Sequence, residues 1–148
     1  MRLLRWLTNK RGDMVWNTLV IVTVMLPLMS LTLDIPRYFI LRSTLQNAAD
    51  AAAEAAARTV DAETLIYSGG QDLLPSGAVQ YAHMAFDAVA SPMNAKGYNL
   101  SLDGISINES QDRVTATAHG QISYMFGLTP SVTISARSES WFRSLHTP

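Results

Sequence analysis

Apolar side chains take three different spacings along this chain, and each predicts a different kind of element. From Met14 to Leu33 twenty residues pass without one ionisable side chain. As a helix that run spans about 30 Å, the hydrocarbon thickness of a bilayer. From Arg37 to Val60 the spacing becomes that of a one-faced helix. Tyr38, Leu41, Leu45, Ala48, Ala49, Ala52 and Ala56 fall on one side, and Gln46, Asp50, Glu54 and Arg58 mostly on the other. Eight of the ten residues from Ala48 to Ala57 are alanine, the residue of highest helix propensity. A second helix is predicted from about Ser76 to Val89, with Val79, Ala82, His83, Phe86 and Val89 or Ala90 as its apolar stripe and His83 packed within it. Loop punctuation precedes it at Ser68-Gly69-Gly70 and Pro75-Ser76-Gly77.

Beyond Ser91-Pro92 and a turn at Lys96-Gly97 the period falls to two. Leu100 and Leu102, then Ile105 and Ile107, alternate with polar residues, and Asn108 to Asp112 reads as a turn. Val114, Ala116 and Ala118 continue the alternation; after Gly120, which could mark a bulge, so do Ile122, Tyr124 and Phe126. A turn at Gly127 to Pro130 leads to Val132, Ile134 and Ala136, and Trp141-Phe142 close the run. One polar and one apolar face predict an antiparallel sheet of three or four strands, covered on one side by helix. The fold class is therefore α+β: a long N-terminal transmembrane-to-periplasmic helix, then a small C-terminal domain of one helix and that sheet. The expected divisions are a basic cytoplasmic leader (1–12), a transmembrane helix (13–33), an alanine-rich stem helix (34–60) and a periplasmic α+β domain (61–148).

Two prolines leave the shape of the long helix open. Pro27, inside the apolar run, removes one backbone hydrogen bond. Pro36 either breaks the helix or opens a second segment. Asp34 and Arg37, three residues apart, share a face at the outer end of the run. The alanine face, thin and easily approached, has two readings: it packs on its own domain, or it bundles with neighbouring subunits.

Charge adds direction. The net charge of −1 conceals a local +4 from Arg2, Arg5, Lys10 and Arg11, with no acid before residue 13. Cations flanking an apolar span mark the cytoplasmic end, so the remainder is expected to be exported. Beside a span these cations orient the chain in lipid, and nucleic acid is not expected as a partner. The leader resembles the start of a signal peptide, but the apolar run is long, holds several polar residues and lacks an Ala-x-Ala-like site. Arg11-Gly12 is instead a basic leader ending in glycine directly before the span.

Candidate chemistry is sparse. There is no cysteine, which excludes disulfides and thiolate metal sites. His83, His119 and His146 are isolated, with no metal-ligand spacing, and no phosphate loop or Gly-x-Ser-x-Gly is present. No catalytic residues, cofactor, metal or small-molecule substrate are expected, so the chain is not expected to be an enzyme.

Arg42 to Ala57 reads R-S-T-L-Q-N-A-A-D-A-A-A-E-A-A-A. With Arg11-Gly12 and the Asp34-x-x-Arg37-Tyr38 pattern, it resembles the TadE/TadG-like proteins of Tad (tight adherence, Flp-type) pilus systems. The residues that carry the likeness include Asp34, Arg37, Arg42, Leu45, Gln46, Ala49, Asp50 and Ala52. The likeness covers residues 11–60 well and 112–142 more loosely. The resemblance implies a minor pilin or pseudopilin, held in the bacterial inner membrane with its small domain in the periplasm or in an extracellular pilus. Its role would be assembly, initiation or capping of a type IV-like pilus used in adhesion. Its partners would be other pilins and the Tad machinery. The resemblance also implies cleavage by a prepilin peptidase between Gly12 and Asp13. Where processed relatives carry glutamate, this chain has Asn17, which forms hydrogen bonds but cannot neutralise an ammonium group. The alternative is a single-pass membrane protein whose periplasmic binding domain never enters a filament.

Overall fold

The computed structural model describes residues 10–59, 74–108, 111–123 and 131–142, with side chains from residue 14 onward. The predicted α+β order is present. Helix α1 (Lys10–Val20) passes into a π-helical turn (Ile21–Met25) and then α2 (Leu26–Ala57); after α3 (Pro75–Asn94) come β1 (Ser101–Asn108), β2 (Arg113–Ile122) and β3 (Val132–Trp141). The strands form one antiparallel sheet of order β1-β2-β3. Helix α2 lies over β2 and β3, and α3 runs beside α2 with its own contact to β1.

Neither proline breaks the long helix. The π turn ends two residues before Pro27, and Leu26 N–H reaches back to the Ile21 carbonyl. A proline ring clashes with the carbonyl four residues earlier and offers it no N–H. One extra residue in the preceding turn relieves that conflict. Pro36 stays inside α2 on an exposed face.

The core answers the question about the alanine face. Ala48, Ala49, Ala52, Ala53 and Ala56 have no exposed surface, and neither have Leu41 and Leu45. Ala78, Ala82 and Ala90 of α3 are buried as completely. Alanines on both helices let the two backbones approach closely, and the larger Phe86, Val114 and Ile122 fill the remaining space. This face is thus occupied within the monomer.

Five readings of the sequence need correction. Helix α3 starts at Pro75, whose missing N–H costs nothing in a first turn, so Pro75-Ser76-Gly77 is helix and not loop. It also continues through the exposed Pro92 to Asn94, because buried Met93 holds the last turn on the core. Its inward stripe is Ala78, Ala82, Phe86, Ala90 and Met93, which leaves Val79 and His83 exposed. Helix α2 ends at Ala57, short of Val60. The bulge lies not at Gly120, which pairs regularly with Ile134, but in β1 between Leu102 and Gly104. There one extra residue moves the inward positions from Leu100 and Leu102 to Ile105 and Ile107. Gly120 instead makes room: a Cβ there would lie 3.5 Å from Leu100 and 3.8 Å from Leu45.

The turn at Asn108 to Asp112 is borne out at its ends. Asp112 takes a positive φ of 50° and its carbonyl accepts from Phe142 N–H at 2.9 Å. The predicted loop at Ser68 to Gly70, the strand positions Tyr124 and Phe126, the turn at Gly127 to Pro130, His146 and residues 1–9 of the leader lie outside the described residues.

Candidate functional site

The polar groups that bind the long helix to its domain lie where the apolar run meets the folded part. Asp34 is only 3% exposed. Its Oδ2 accepts from the Ser30 hydroxyl at 2.8 Å and its Oδ1 from Arg37 Nη1 at 3.2 Å. Arg37 Nε donates to the Tyr98 hydroxyl at 3.1 Å, and the guanidinium lies 5.8 Å from the centre of the Tyr98 ring. The three-residue spacing of Asp34 and Arg37 makes the first pair local. Tyr98 arrives from sixty-one residues away.

Tyr98 is delivered by the end of α3. Gly97 has φ +86°, Gly97 N–H bonds the Asn94 carbonyl at 2.9 Å, and Tyr98 N–H bonds the Met93 carbonyl at 3.2 Å. These two bonds around a left-handed glycine form a Schellman cap. The chain is then clamped by Asn94, whose amide exchanges two hydrogen bonds with the backbone of Leu100, at 2.7 and 3.1 Å. The hydrogen bond to Tyr98 is the largest influence raising the pKa of Arg37, and the Asp34 carboxylate adds to it against a desolvation penalty.

A second junction lies three turns further along. Gln46 Nε2 donates to Asp50 Oδ1 at 2.9 Å and to the Arg137 carbonyl at 3.3 Å. Its amide has two hydrogens, so one holds the neighbouring turn of α2 and the other a backbone acceptor of the edge strand β3. Leu45 is buried over Gly120, and Ala49 and Ala52 are buried beside it. Arg42 is exposed on α2. Asn17 is exposed on α1; Gly12 and Asp13 lie in the same helix, with their side chains outside the described residues. The motif residues thus divide by chemistry. Leu45, Ala49 and Ala52 pack the core, whereas Asp34, Arg37, Gln46 and Asp50 brace its rim. Tyr98, Ser30 and the Arg137 carbonyl were not singled out from sequence; the glycine at 97 was the available signal for Tyr98.

On the outer sheet face Arg113 stacks 4.3 Å from the Trp141 ring centre and pairs with Glu139 at 2.8 Å, while Arg137 meets the same carboxylate at 2.9 Å. His119, isolated in sequence, contacts Asp103 at the bulge. Among the described residues no group of three or more His, Cys, Asp or Glu is placed to hold a metal ion.

The helix from Met14 to Ala57 is long and apolar enough to cross a membrane. From Met14 to Leu33 its side chains are exposed, with the half-buried Ser30 as the exception, which fits a single-pass membrane protein. No curated protein and no solved structure matches the chain. Residues 18–59, which run from within the apolar run past the helical side of both junctions, match the family described as Flp pilus-assembly, TadE/G-like. Over this helix the chain is similar to TadE/G-like proteins, and the likeness supports involvement in Tad pilus assembly.

Proposed function

We propose that the chain is a minor pilin or pseudopilin that takes part in assembly, initiation or capping of a Tad pilus. In this reading it is anchored in the inner membrane, with its basic end in the cytoplasm and its α+β domain in the periplasm. Its work is packing and not catalysis, and it needs no cofactor. The observation that carries the reading is the division of one helix into two surfaces. The alanine half is consumed by its own domain, whereas Met14 to Leu33 presents an apolar surface that the domain does not cover. Such a half-helix is at home in lipid and equally at home among the apolar helices of a filament. Transfer between two apolar surroundings has a small free-energy difference, so assembly machinery can drive it. Contacts to partner subunits then fall on the exposed half, not on the alanines.

The test uses the full chain in a pilus-producing host, with a photo-crosslinking residue at Val22. Crosslinks to other pilins or to inner-membrane assembly components are expected, together with loss of surface pili on deletion of the chain. Normal piliation after deletion, with crosslinks to lipid alone, would refute the reading and favour a single-pass protein outside the filament. Mass spectrometry of the N-terminus adds to this: a start at Asp13 favours a processed pilin, whereas retained Met1 fits both an anchored assembly subunit and a single-pass protein outside the filament.

A further inference from the structure

The apolar surface of the long helix does not stop at the same height all round. On the domain side it ends with Ser30, Asp34 and Arg37. On the opposite side Ile35, Phe39 and Ile40 are 45%, 61% and 57% exposed, and polar residues resume with exposed Arg42, two turns beyond Ile35 on its strip, and with Ser43, Asn47 and Asp50. Phe39 and Ile40 lie about 140° and 120° to either side of Asp34 around the helix axis, so they flank the face opposite the domain. They continue the exposed apolar run from Met14 without a charged residue between them on that face. Ile40 is six residues beyond Asp34, about 9 Å along a helix some 10–12 Å wide, so the boundary slopes by about 40°.

Length gives a similar figure. Trp16, 64% exposed, has the character of an interfacial anchor. From Trp16 to Ile40 the helix measures about 36 Å against a hydrocarbon core of about 30 Å, a mismatch that a tilt of about 35° removes. Both values lie at the upper end of the observed range of roughly 0–40°.

We propose that the helix crosses the bilayer obliquely, with Ile35, Phe39 and Ile40 pressed into the acyl-chain and headgroup boundary of the leaflet nearer the domain. The Asp34–Arg37–Tyr98 cluster then lies on the upper side of the tilted helix at headgroup level, and the domain rests at the membrane surface instead of standing off on a neck. The occupant of the patch is lipid, because the patch is continuous with the span. This inference rests on the membrane span alone and is independent of any role in a pilus.

The absence of native cysteine makes site-directed spin labelling direct. Phe39→Cys, Ile40→Cys and Asn47→Cys, each in the full chain, are reconstituted in vesicles of phosphatidylcholine and phosphatidylglycerol. Collision with oxygen should exceed collision with a water-soluble nickel chelate at residues 39 and 40, and the ratio should reverse at residue 47. Nickel dominating at 39 and 40 as it does at 47 would overturn the proposal. Protection of 39 and 40 from both reagents, as in a contact between copies, would overturn it too.

Discussion

Ala52→Leu tests what the alanines of α2 are for. Ala52 has no exposed surface, and the alanines of α2 and α3 around it have none either. A leucine adds three carbon atoms where two backbones already approach closely. Overpacking of this kind costs about 1–3 kcal/mol, because the helices must separate or the side chain must leave its rotamer. At about 2 kcal/mol the melting temperature of a domain this small should fall by roughly 8–16 °C. Asn47→Leu, one turn earlier on the exposed face of the same helix, is the control and should stay within about 0.5 kcal/mol of the parent. Both variants are compared with the parent by near-ultraviolet circular dichroism of dilute, monomeric full chain in one detergent. Dilution matters, since it removes any contact between copies. If Ala52→Leu melts with the parent while assembly in cells is lost, the alanine face serves neighbours and the packing described above is wrong.

Two further outcomes follow from the Tyr98 junction. Gly97→Ala meets no atom within 4 Å of the new Cβ, yet φ is +86°, so its cost is purely conformational, about 1–2 kcal/mol; denaturant unfolding should show a lower midpoint at unchanged slope. Tyr98→Phe removes the acceptor for Arg37 and should cost about 1–2 kcal/mol. In a double-mutant cycle with Arg37→Gln, a coupling near zero would show that the two side chains do not act together.

The sequence carried the sheet more accurately than its irregularities. The shift of apolar positions from 100 and 102 to 105 and 107 already required one unpaired residue in β1, because a strand has a side-chain period of two. Gly120 drew the bulge by composition, but its lack of a side chain serves Leu45 and Leu100 instead. His83 was placed inward as part of a plausible stripe, yet the stripe through Ala78, Ala82 and Phe86 won. Small residues permit the closest approach to an alanine-lined partner, and the identity of that partner is not a local property.

What the sequence determined by itself was whatever depends on neighbours along the chain. The span, the alanine helix, the Asp34–Arg37 spacing and the strand period all follow from local geometry. What only the tertiary structure decided was which surface meets which. It brought Tyr98 to Arg37 and the Arg137 carbonyl to Gln46, and it closed the alanine face inside the monomer. Those contacts join residues tens of positions apart, and they depend on the helices and sheet having packed in one register. A one-dimensional pattern marks a face as apolar but does not say what will cover it.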